Sequence, residues 1–311
     1  MEQRRVGDAD VGAVALGGAN WTFLDVDPAQ VEETLDEALA LGVTLIDTAF
    51  AYTTADEVCH NEKLIASLLE RRSAAVLVAT KGGHYRSGES FPVDGRPETI
   101  VRHCEASLQA LAVEYLDLYQ LHMPDPDVPF AETMGAFSDL KAAGKIRRAG
   151  LSNVTLAQFE EARRIVEVAA VQNHLSPWAQ QAIFHPQRID GASPEGDVLA
   201  ACEAADVAYL AYAPFTGPFG SDGESLPQAP LPGLDAVARE RGVSRHQVVV
   251  AWLLAQSHVV IPIVGASRPA SIRDAADAAG LRLSEDELAR IAEPAPTVGA
   301  GDTSSGEARR H

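Results

Sequence analysis

The chain contains 311 residues, with 44 acidic and 25 basic side chains and a formal net charge of −19. Hydrophobic residues make up 46% and charged residues 22%, a balance that is typical of a globular protein and excludes a disordered chain. Such an acidic surface repels nucleic-acid phosphates and anionic lipids. We therefore expect neither a nucleic acid nor a membrane as a partner.

The cysteine spacing and the lengths of the apolar stretches predict the cellular compartment of the protein. Cys59, Cys104 and Cys202 lie far apart, without the spacing of a disulfide framework or a zinc site. The N-terminal stretch MEQRRVGDADVG lacks the apolar centre of a signal peptide, and the apolar stretch near residues 248–254 is too short to span a bilayer. These features predict a cytoplasmic protein.

Short β-branched apolar runs alternate along the chain with segments that have the apolar period of a helix. The predicted strands cover residues 11–16, 44–47, 75–80, 116–121, 148–151, 168–172, 207–212 and 259–264. The predicted helices cover residues 28–41, 61–72, 97–111, 130–143, 156–166, 194–205, 234–241, 243–255, 269–278 and 285–292. Gly42 and Gly144 are the expected stop signals of two helices, and Asn61 is the expected N-cap of a third.

Eight alternations of strand and helix predict parallel strands joined by crossover helices, closed into a single-domain (β/α)8 TIM barrel. We expect this barrel to cover residues 1–293 and residues 294–311 to form a flexible tail. The alternative is a doubly wound sheet, which would carry a Gly-rich turn after its first strand. The only candidate for that turn, residues 17–21 (GGANW), lacks the G-x-G-x-x-G spacing.

In such a barrel the chemistry lies where the strands end, at the C-terminal face. Long loops predicted at that face, residues 82–96, 177–193 and 215–232, would shape a ligand pocket. Asp47, Lys81 and His122 end three consecutive predicted strands, and Tyr52 follows Asp47 by five positions. An ammonium beside a phenol stabilises the phenolate and lowers the phenol's pKa. The four side chains could thus form a proton donor for a developing alkoxide.

Each of these residues also has a purely structural interpretation. Asp47 and Lys81 could form an ion pair at the barrel rim, Tyr52 could lie on the surface, and His122 could be a neutral residue bonded to a loop carbonyl. The occurrence of all four at consecutive strand ends favours the catalytic interpretation.

With these residues in place, the chain resembles the aldo-keto reductase family from about Arg5 to Glu293. Asp47, Tyr52, Lys81 and His122 match that family's catalytic tetrad, including the five-residue step from aspartate to tyrosine. Further matching segments are GKIR at 144–147, GLSN at 150–153, VQN at 171–173, QV at 247–248 and AWLL at 251–254.

The resemblance implies a nicotinamide cofactor bound without a Rossmann domain. Ser152, Asn153 and Gln172 resemble the residues that bind the carboxamide, and Tyr212 resembles the aromatic residue that stacks on the nicotinamide. The segment from Phe215 to Gly217 would meet the pyrophosphate, whereas Ser267 and Arg268 resemble the pocket for the 2′-phosphate and Asp274 belongs to the same cofactor-binding group. An arginine and a serine at a helix N-terminus suit a phosphate dianion, which favours NADPH over NADH.

The resemblance assigns Trp21, His84 and Trp178 to the substrate pocket, although Trp21 could equally be a packing residue. Two departures from the family are visible. The loop after Tyr52 is longer and brings Cys59, His60 and Glu62 close together in sequence. Without a convincing fourth ligand these three do not predict a metal site. Ala275 stands where relatives carry Asn, which weakens the expected adenine contacts.

The resemblance therefore implies NADPH-dependent reduction of an aldehyde or ketone to an alcohol by hydride transfer, with Tyr52 as the proton donor and a small carbonyl compound as the only expected partner. Two alternatives remain open. The barrel could be a nicotinamide-binding redox sensor or regulatory subunit with little turnover, or a hydrolase or lyase with a coincidental tetrad. The substrate's identity and the oligomeric state are not predicted.

Overall fold

The computed structural model describes residues 1–23, 26–54, 60–179, 197–216 and 230–292. Its first two strands, β1 (Gln3–Val6) and β2 (Ala9–Gly12), pair antiparallel. Eight parallel strands then follow: β3 (Ala15–Gly17), β4 (Leu45–Asp47), β5 (Leu77–Gly82), β6 (Leu116–Leu121), β7 (Ile146–Ser152), β8 (Val168–His174), β9 (Ala208–Tyr212) and β10 (Val260–Val264). Each pairs with the next, and β10 closes on β3. The predicted (β/α)8 barrel is confirmed, and the doubly wound sheet is excluded.

The helices surround the barrel and include one, α1, that the sequence pattern did not predict. They are α1 (Ala19–Phe23), α2 (Pro28–Ala40), α3 (Asn61–Leu69), α4 (Pro97–Leu111), α5 (Phe130–Ala142), α6 (Leu156–Arg163), α7 (Val198–Ala204), α8 (Pro232–Arg241), α9 (Arg245–Gln256), α10 (Pro269–Asp277) and α11 (Glu285–Ala292). Thr155 and Ser244 form capping boxes that start α6 and α9. Within the described ranges, no helix combines the length and apolar character needed to cross a bilayer.

Side chains alternate along each barrel strand between an outer core against the helices and an inner core inside the barrel. On β6, Leu118 belongs to the inner core, whereas Tyr119 faces outward and stacks on Phe137 with ring centroids 5.1 Å apart. The same alternation turns Gln120 inward, towards the C-terminal end where polar side chains replace apolar ones. The apolar filling of the barrel thus ends just below the predicted site.

The predicted strand over residues 11–16 is two separate elements in the structure. Its first part belongs to β2 of the N-terminal hairpin, and its last part belongs to β3 of the barrel. A Cβ on Gly12 would lie 2.2 Å from the carbonyl oxygen of Gly42, so only glycine fits where the hairpin meets the chain after α2. Arg4 fastens the hairpin to the barrel by donating to the carbonyl oxygens of Val260 (2.7 Å) and Leu254 (3.0 Å).

The predicted capping role of Asn61 is wrong. The residue before α3 with cap geometry is His60, and Asn61 is the first helical residue, with a completely buried side chain. Its amide instead bonds to other parts of the chain, because Thr48 donates to its Oδ1 (2.6 Å) and its Nδ2 donates to Gly18 O (2.8 Å) and Thr22 Oγ1 (3.0 Å). The side chain therefore joins α3 to α1 and to the end of β4. The predicted tail, residues 294–311, lies outside the described residues.

Candidate active site

The four predicted catalytic side chains converge at the C-terminal end of the barrel. Lys81 Nζ lies 2.7 Å from Asp47 Oδ2 and 3.4 Å from the hydroxyl oxygen of Tyr52, and it also donates to Thr48 O (2.8 Å). The rings of Tyr52 and His122 meet edge to face with centroids 5.8 Å apart. Asp47 ends β4, Lys81 lies near the end of β5 and His122 follows β6, so adjacent parallel strands bring these side chains together.

Backbone hydrogen bonds fix the loop that carries Tyr52. Phe50 N donates to Lys81 O (3.1 Å), and Tyr52 N donates to Ala49 O (3.0 Å), which forms a tight turn after β4. Asn61 N, at the start of α3, donates to Tyr52 O (2.9 Å). The phenol is thus held between the end of one strand and the first turn of the next helix.

Burial controls the protonation of the central pair. Burial raises the pKa of Tyr52, and the nearby Asp47 carboxylate adds to that effect, while Lys81 opposes it. The sequence-based expectation of a lowered phenol pKa is therefore wrong in its net direction, because desolvation of the phenolate outweighs the ammonium. Burial lowers the pKa of Lys81, but the charges of Asp47 and Tyr52 outweigh it and the net change is upward. Lys81 stays charged and Tyr52 keeps its proton at neutral pH.

The tetrad borders a cavity of about 460 Å³ at the centre of the barrel mouth. This volume lies within the range of small-molecule sites in proteins. Three of the four predicted catalytic residues line it, whereas Lys81 lies behind them, fully buried. The other lining residues are Gly17, Ala19, Asn20, Ser152, Asn153, Gln172, Tyr212, Ala213, Pro214, Phe215, Thr216, Ile263 and Gly265. The cavity therefore contacts several of the residues assigned to cofactor binding.

Among these residues, Asn153 and Tyr212 are already bonded to each other. The hydroxyl of Tyr212 donates to Asn153 Oδ1 (2.8 Å), and Asn153 Nδ2 donates to His122 O and Ser152 Oγ (both 3.1 Å). Gln172 Nε2 donates to Asp47 Oδ1 (2.7 Å), so its Oε1 is the part of the amide left to accept from a ligand. The predicted carboxamide-binding residues are thus joined to the tetrad by hydrogen bonds.

Three of the remaining predicted cofactor residues lie just before α10 or within it. Ser267 and Arg268 precede α10, where Ser267 O accepts from Gln30 Nε2 (2.6 Å) and Arg268 is exposed at the N-cap position. Asp274, within α10, accepts from Ser244 Oγ (2.6 Å). Phe215 lines the cavity, whereas Gly217 lies outside the described residues.

The three predicted substrate residues occupy different environments. Trp21 is only 2% exposed and donates from Nε1 to Ala266 O (2.8 Å), so the structure places it in the outer core and not at the cavity. The ring of His84 lies edge to face on His122 with centroids 4.8 Å apart. Trp178 is partly buried against the outer core.

Two aromatic residues near Tyr52 were not identified from the sequence. Phe23, at the end of α1, is 41% exposed and lies edge to face on Tyr52 (5.6 Å) and on Phe91 (5.9 Å). Phe91 in turn lies edge to face on His84 (5.9 Å), so these rings and that of His122 form a continuous series. Phenylalanine signals packing in a sequence, and only the fold shows that Phe23 borders the tetrad and that Phe91 packs beside it.

Of the three possible metal ligands in the lengthened loop after Tyr52, Cys59 lies outside the described residues. Glu62 is completely buried on α3, accepts from Thr80 Oγ1 (2.6 Å), and its pKa is raised by burial. His60 Nε2 lies 4.0 Å from Glu62 Oε2. In the part of the chain that the structure describes, no group of three or more histidine, cysteine or acidic side chains could hold a metal ion.

Known proteins resemble this chain over nearly its whole length. The family model for the Aldo/keto reductase family matches residues 11–295. An uncharacterized oxidoreductase from Schizosaccharomyces pombe is 30% identical over 297 residues, which is 93% of this chain and 88% of that protein. The aldo-keto reductase yakc of the same yeast, whose name includes NADP(+), is 26% identical and matches 93% of this chain and 90% of its own. Glycerol dehydrogenase from Gluconobacter oxydans has a TM-score of 0.76 at 26% identity, covering 93% of both chains.

Proposed function

Because the chain belongs to the aldo/keto reductase family, we propose that it reduces an aldehyde or ketone to an alcohol with NADPH, with Tyr52 as the proton donor. Membership in this family makes the chain an NAD(P)H-dependent oxidoreductase and implies a small carbonyl compound as its substrate. The observation that carries the proposal is the position of Lys81 Nζ, between Asp47 Oδ2 and the Tyr52 hydroxyl at the edge of the cavity.

The residues around the cavity fit a nicotinamide group. Gln172 Oε1 and Ser152 would bind the carboxamide, and the ring of Tyr212 would cover one face of the nicotinamide. Ser267 and Arg268 precede a helix, where backbone N–H groups and an exposed guanidinium attract a phosphate dianion, as a 2′-phosphate would require. The relative whose name includes NADP(+) supports the same preference.

The chain's own residues move one proton and position the carbonyl group. When bound, the nicotinamide cofactor supplies the hydride that reduces the carbonyl carbon. The Tyr52 hydroxyl donates its proton to the developing alkoxide oxygen, and the Lys81 ammonium then stabilises the phenolate that remains. Asp47 holds that ammonium in place, and His122 lies against the Tyr52 ring, where it can orient the carbonyl oxygen.

Replacement of the proton donor tests this assignment. Tyr52→Phe keeps the ring but removes the acid, so we expect kcat for carbonyl reduction to fall by ~10²–10⁴-fold, the usual contribution of general acid catalysis. NADPH binding, followed by fluorescence, should be retained. The matched control is Tyr115→Phe, on an exposed tyrosine that stacks with Arg147, and it should behave as the unmodified enzyme. Carbonyl reduction and alcohol oxidation should both be assayed, since one relative is named a glycerol dehydrogenase.

Two outcomes would contradict the proposal in different ways. If Tyr52→Phe retains most of the wild-type kcat, the phenol is not the acid. If the unmodified protein binds NADPH tightly but reduces no member of a panel of aldehydes and ketones, the alternative of a redox sensor or regulatory subunit is favoured instead.

A further inference from the structure

Gln120 is a completely buried amide beside the catalytic pair. It lies on β6 two positions before His122 and turns towards the inside of the barrel, as Leu118 does two positions earlier. In the sheet register it stands opposite Lys81 on β5 and opposite Gly150 on β7. Neither its sequence context nor its residue type had marked it as functional.

The amide of Gln120 approaches the Asp47 carboxylate from below. Gln120 Nε2 lies 3.5 Å from Asp47 Oδ1, the oxygen that also accepts from Gln172 Nε2 at 2.7 Å. The other oxygen, Oδ2, accepts from Lys81 Nζ at 2.7 Å. Asp47 is thus held by two amide groups on one oxygen and by an ammonium on the other.

Two observations argue that this amide is not a packing accident. Its Oε1 is buried without a hydrogen-bond partner among the described residues. Burial of this side chain is therefore unfavourable unless its N–H group makes a compensating favourable interaction. The neighbouring strand also makes room for it, since a Cβ on Gly150 would lie 2.8 Å from Gln120 Cγ. The negatively charged Asp47 carboxylate, which Gln120 Nε2 faces, provides that interaction.

We propose that Gln120 is a positioning residue that, together with Gln172, fixes the Asp47 carboxylate and offsets part of its negative charge. The inference rests on the proposed function, because the effect of Gln120 is measured through the ionisation of Tyr52, the proposed proton donor. The groups that face Tyr52 are Lys81 from β5, Asp47 from β4, His122 after β6 and Tyr212 from β9. The charge of Lys81 also acts on the buried Glu62 of α3. The negative charge of Asp47 disfavours the Tyr52 phenolate. A hydrogen-bond donor that offsets the charge of Asp47 therefore favours the phenolate.

Removal of the amide should therefore make the phenol harder to ionise. Gln120→Met keeps a side chain of similar length without the donor. Tyr52 controls one limb of the pH profile of kcat/KM. We expect this limb to move to higher pH by about half to one unit, in both carbonyl reduction and alcohol oxidation. Because one pKa unit is a tenfold change in ionisation, alcohol oxidation below that limb should fall by about 3–10-fold. NADPH affinity should stay within about twofold.

Leu118→Met is the matched control, because it changes the packing of the same inward face of β6 without facing Asp47. Gln120→Asn is a second variant that keeps an amide but withdraws it by one carbon, and it should give a smaller shift in the same direction. A limb that moves no further in the Gln120 variants than in Leu118→Met, whatever their thermal stability, would overturn the proposal. If the limb persists in Tyr52→Phe, the proposed function fails and not the role of Gln120 alone.

Discussion

At the scale of single residues, the bond between Tyr212 and Asn153 shapes the cavity. Tyr212 packs against the buried ring of His174 (5.6 Å between centroids), and its hydroxyl is fixed by Asn153 Oδ1. Asn153 and Ala213 both have left-handed backbone angles, with φ of 58° and 49°. Such conformations are unfavourable for residues other than glycine and concentrate at ligand sites. The bond therefore holds the ring that is expected to cover the nicotinamide.

Tyr212→Phe retains this ring and removes only the hydroxyl. A single hydrogen bond contributes about 0.5–1.5 kcal/mol, so we expect the Kd for NADPH to rise by about 2–10-fold while the proton-transfer limb of the pH profile stays in place. Fluorescence titration with NADPH measures the change. Tyr209→Phe, on the same strand, is the control, because that hydroxyl only approaches His174 O at 3.5 Å and lies away from the cavity. Equal affinities in the two variants would show that the bond to Asn153 contributes nothing.

The sequence indicated some residues of the candidate site and not others for a physical reason. Asp47, Lys81 and His122 are polar groups at strand ends, and the topology of a parallel barrel brings strand ends together whatever the loops do. Phe23 and Gln120 gave no such signal. Phe23 borders Tyr52 only because a short helix follows β3, and Gln120 is inward-facing in a strand that reads as apolar.

At the scale of elements, the start of α3 connects three parts of the site's framework. The Asn61 side chain bonds to Thr48, which follows β4, to Gly18, which follows β3, and to Thr22 within α1. A Cβ on Gly18 would lie 2.6 Å from Asn61 Oδ1, so the approach is close enough to need glycine there. One amide thus supports the turn that carries Tyr52.

Asn61→Ala should lower the free energy of unfolding by about 2–4 kcal/mol, because it leaves buried donors and acceptors without partners. Urea denaturation measures this change. Ser67→Ala is the control on the exposed face of the same helix, where a side chain bonds only to Leu64 O, and it should change stability by about 0.5 kcal/mol or less. A small effect of Asn61→Ala would mean that the loop and helix are held by their backbone bonds alone.

The bounds of an element were predictable where a single apolar pattern runs along that element and stops at its ends. The bounds of α4, α11 and β6 agree with the expected ranges 97–111, 285–292 and 116–121. The run over 11–16 failed because all six of its residues are buried, although β2 ends at Gly12 and β3 begins only at Ala15. An apolar pattern indicates which residues are buried but not which element they belong to. It therefore joins the hairpin strand and the barrel strand into one predicted strand.

At the scale of the whole molecule, buried neutral histidines make stability depend on pH. His103 is 3% exposed, accepts from Gly83 N (3.2 Å) and stacks on Phe50 (4.1 Å between centroids). Burial, with a contribution from Arg102, lowers the pKa of His103 to about 4. Burial likewise lowers the pKa of His174 to about 4, against backbone hydrogen bonds that raise it. In the unfolded chain both rings take up a proton near pH 6.5.

Between pH 6.5 and about 4 the unfolded state therefore binds more protons than the native state, and stability must fall as pH falls through this window. We expect the urea midpoint of the wild-type protein to decrease from pH 7 to pH 5, above the range where most carboxylates titrate. His103→Gln should show a shallower decrease, because it removes one of these groups. His258→Gln is the control, since that ring is 64% exposed between Glu203 and Asp206, and its decrease should parallel that of the wild type. Three parallel lines would show that protonation of His103 is not linked to unfolding.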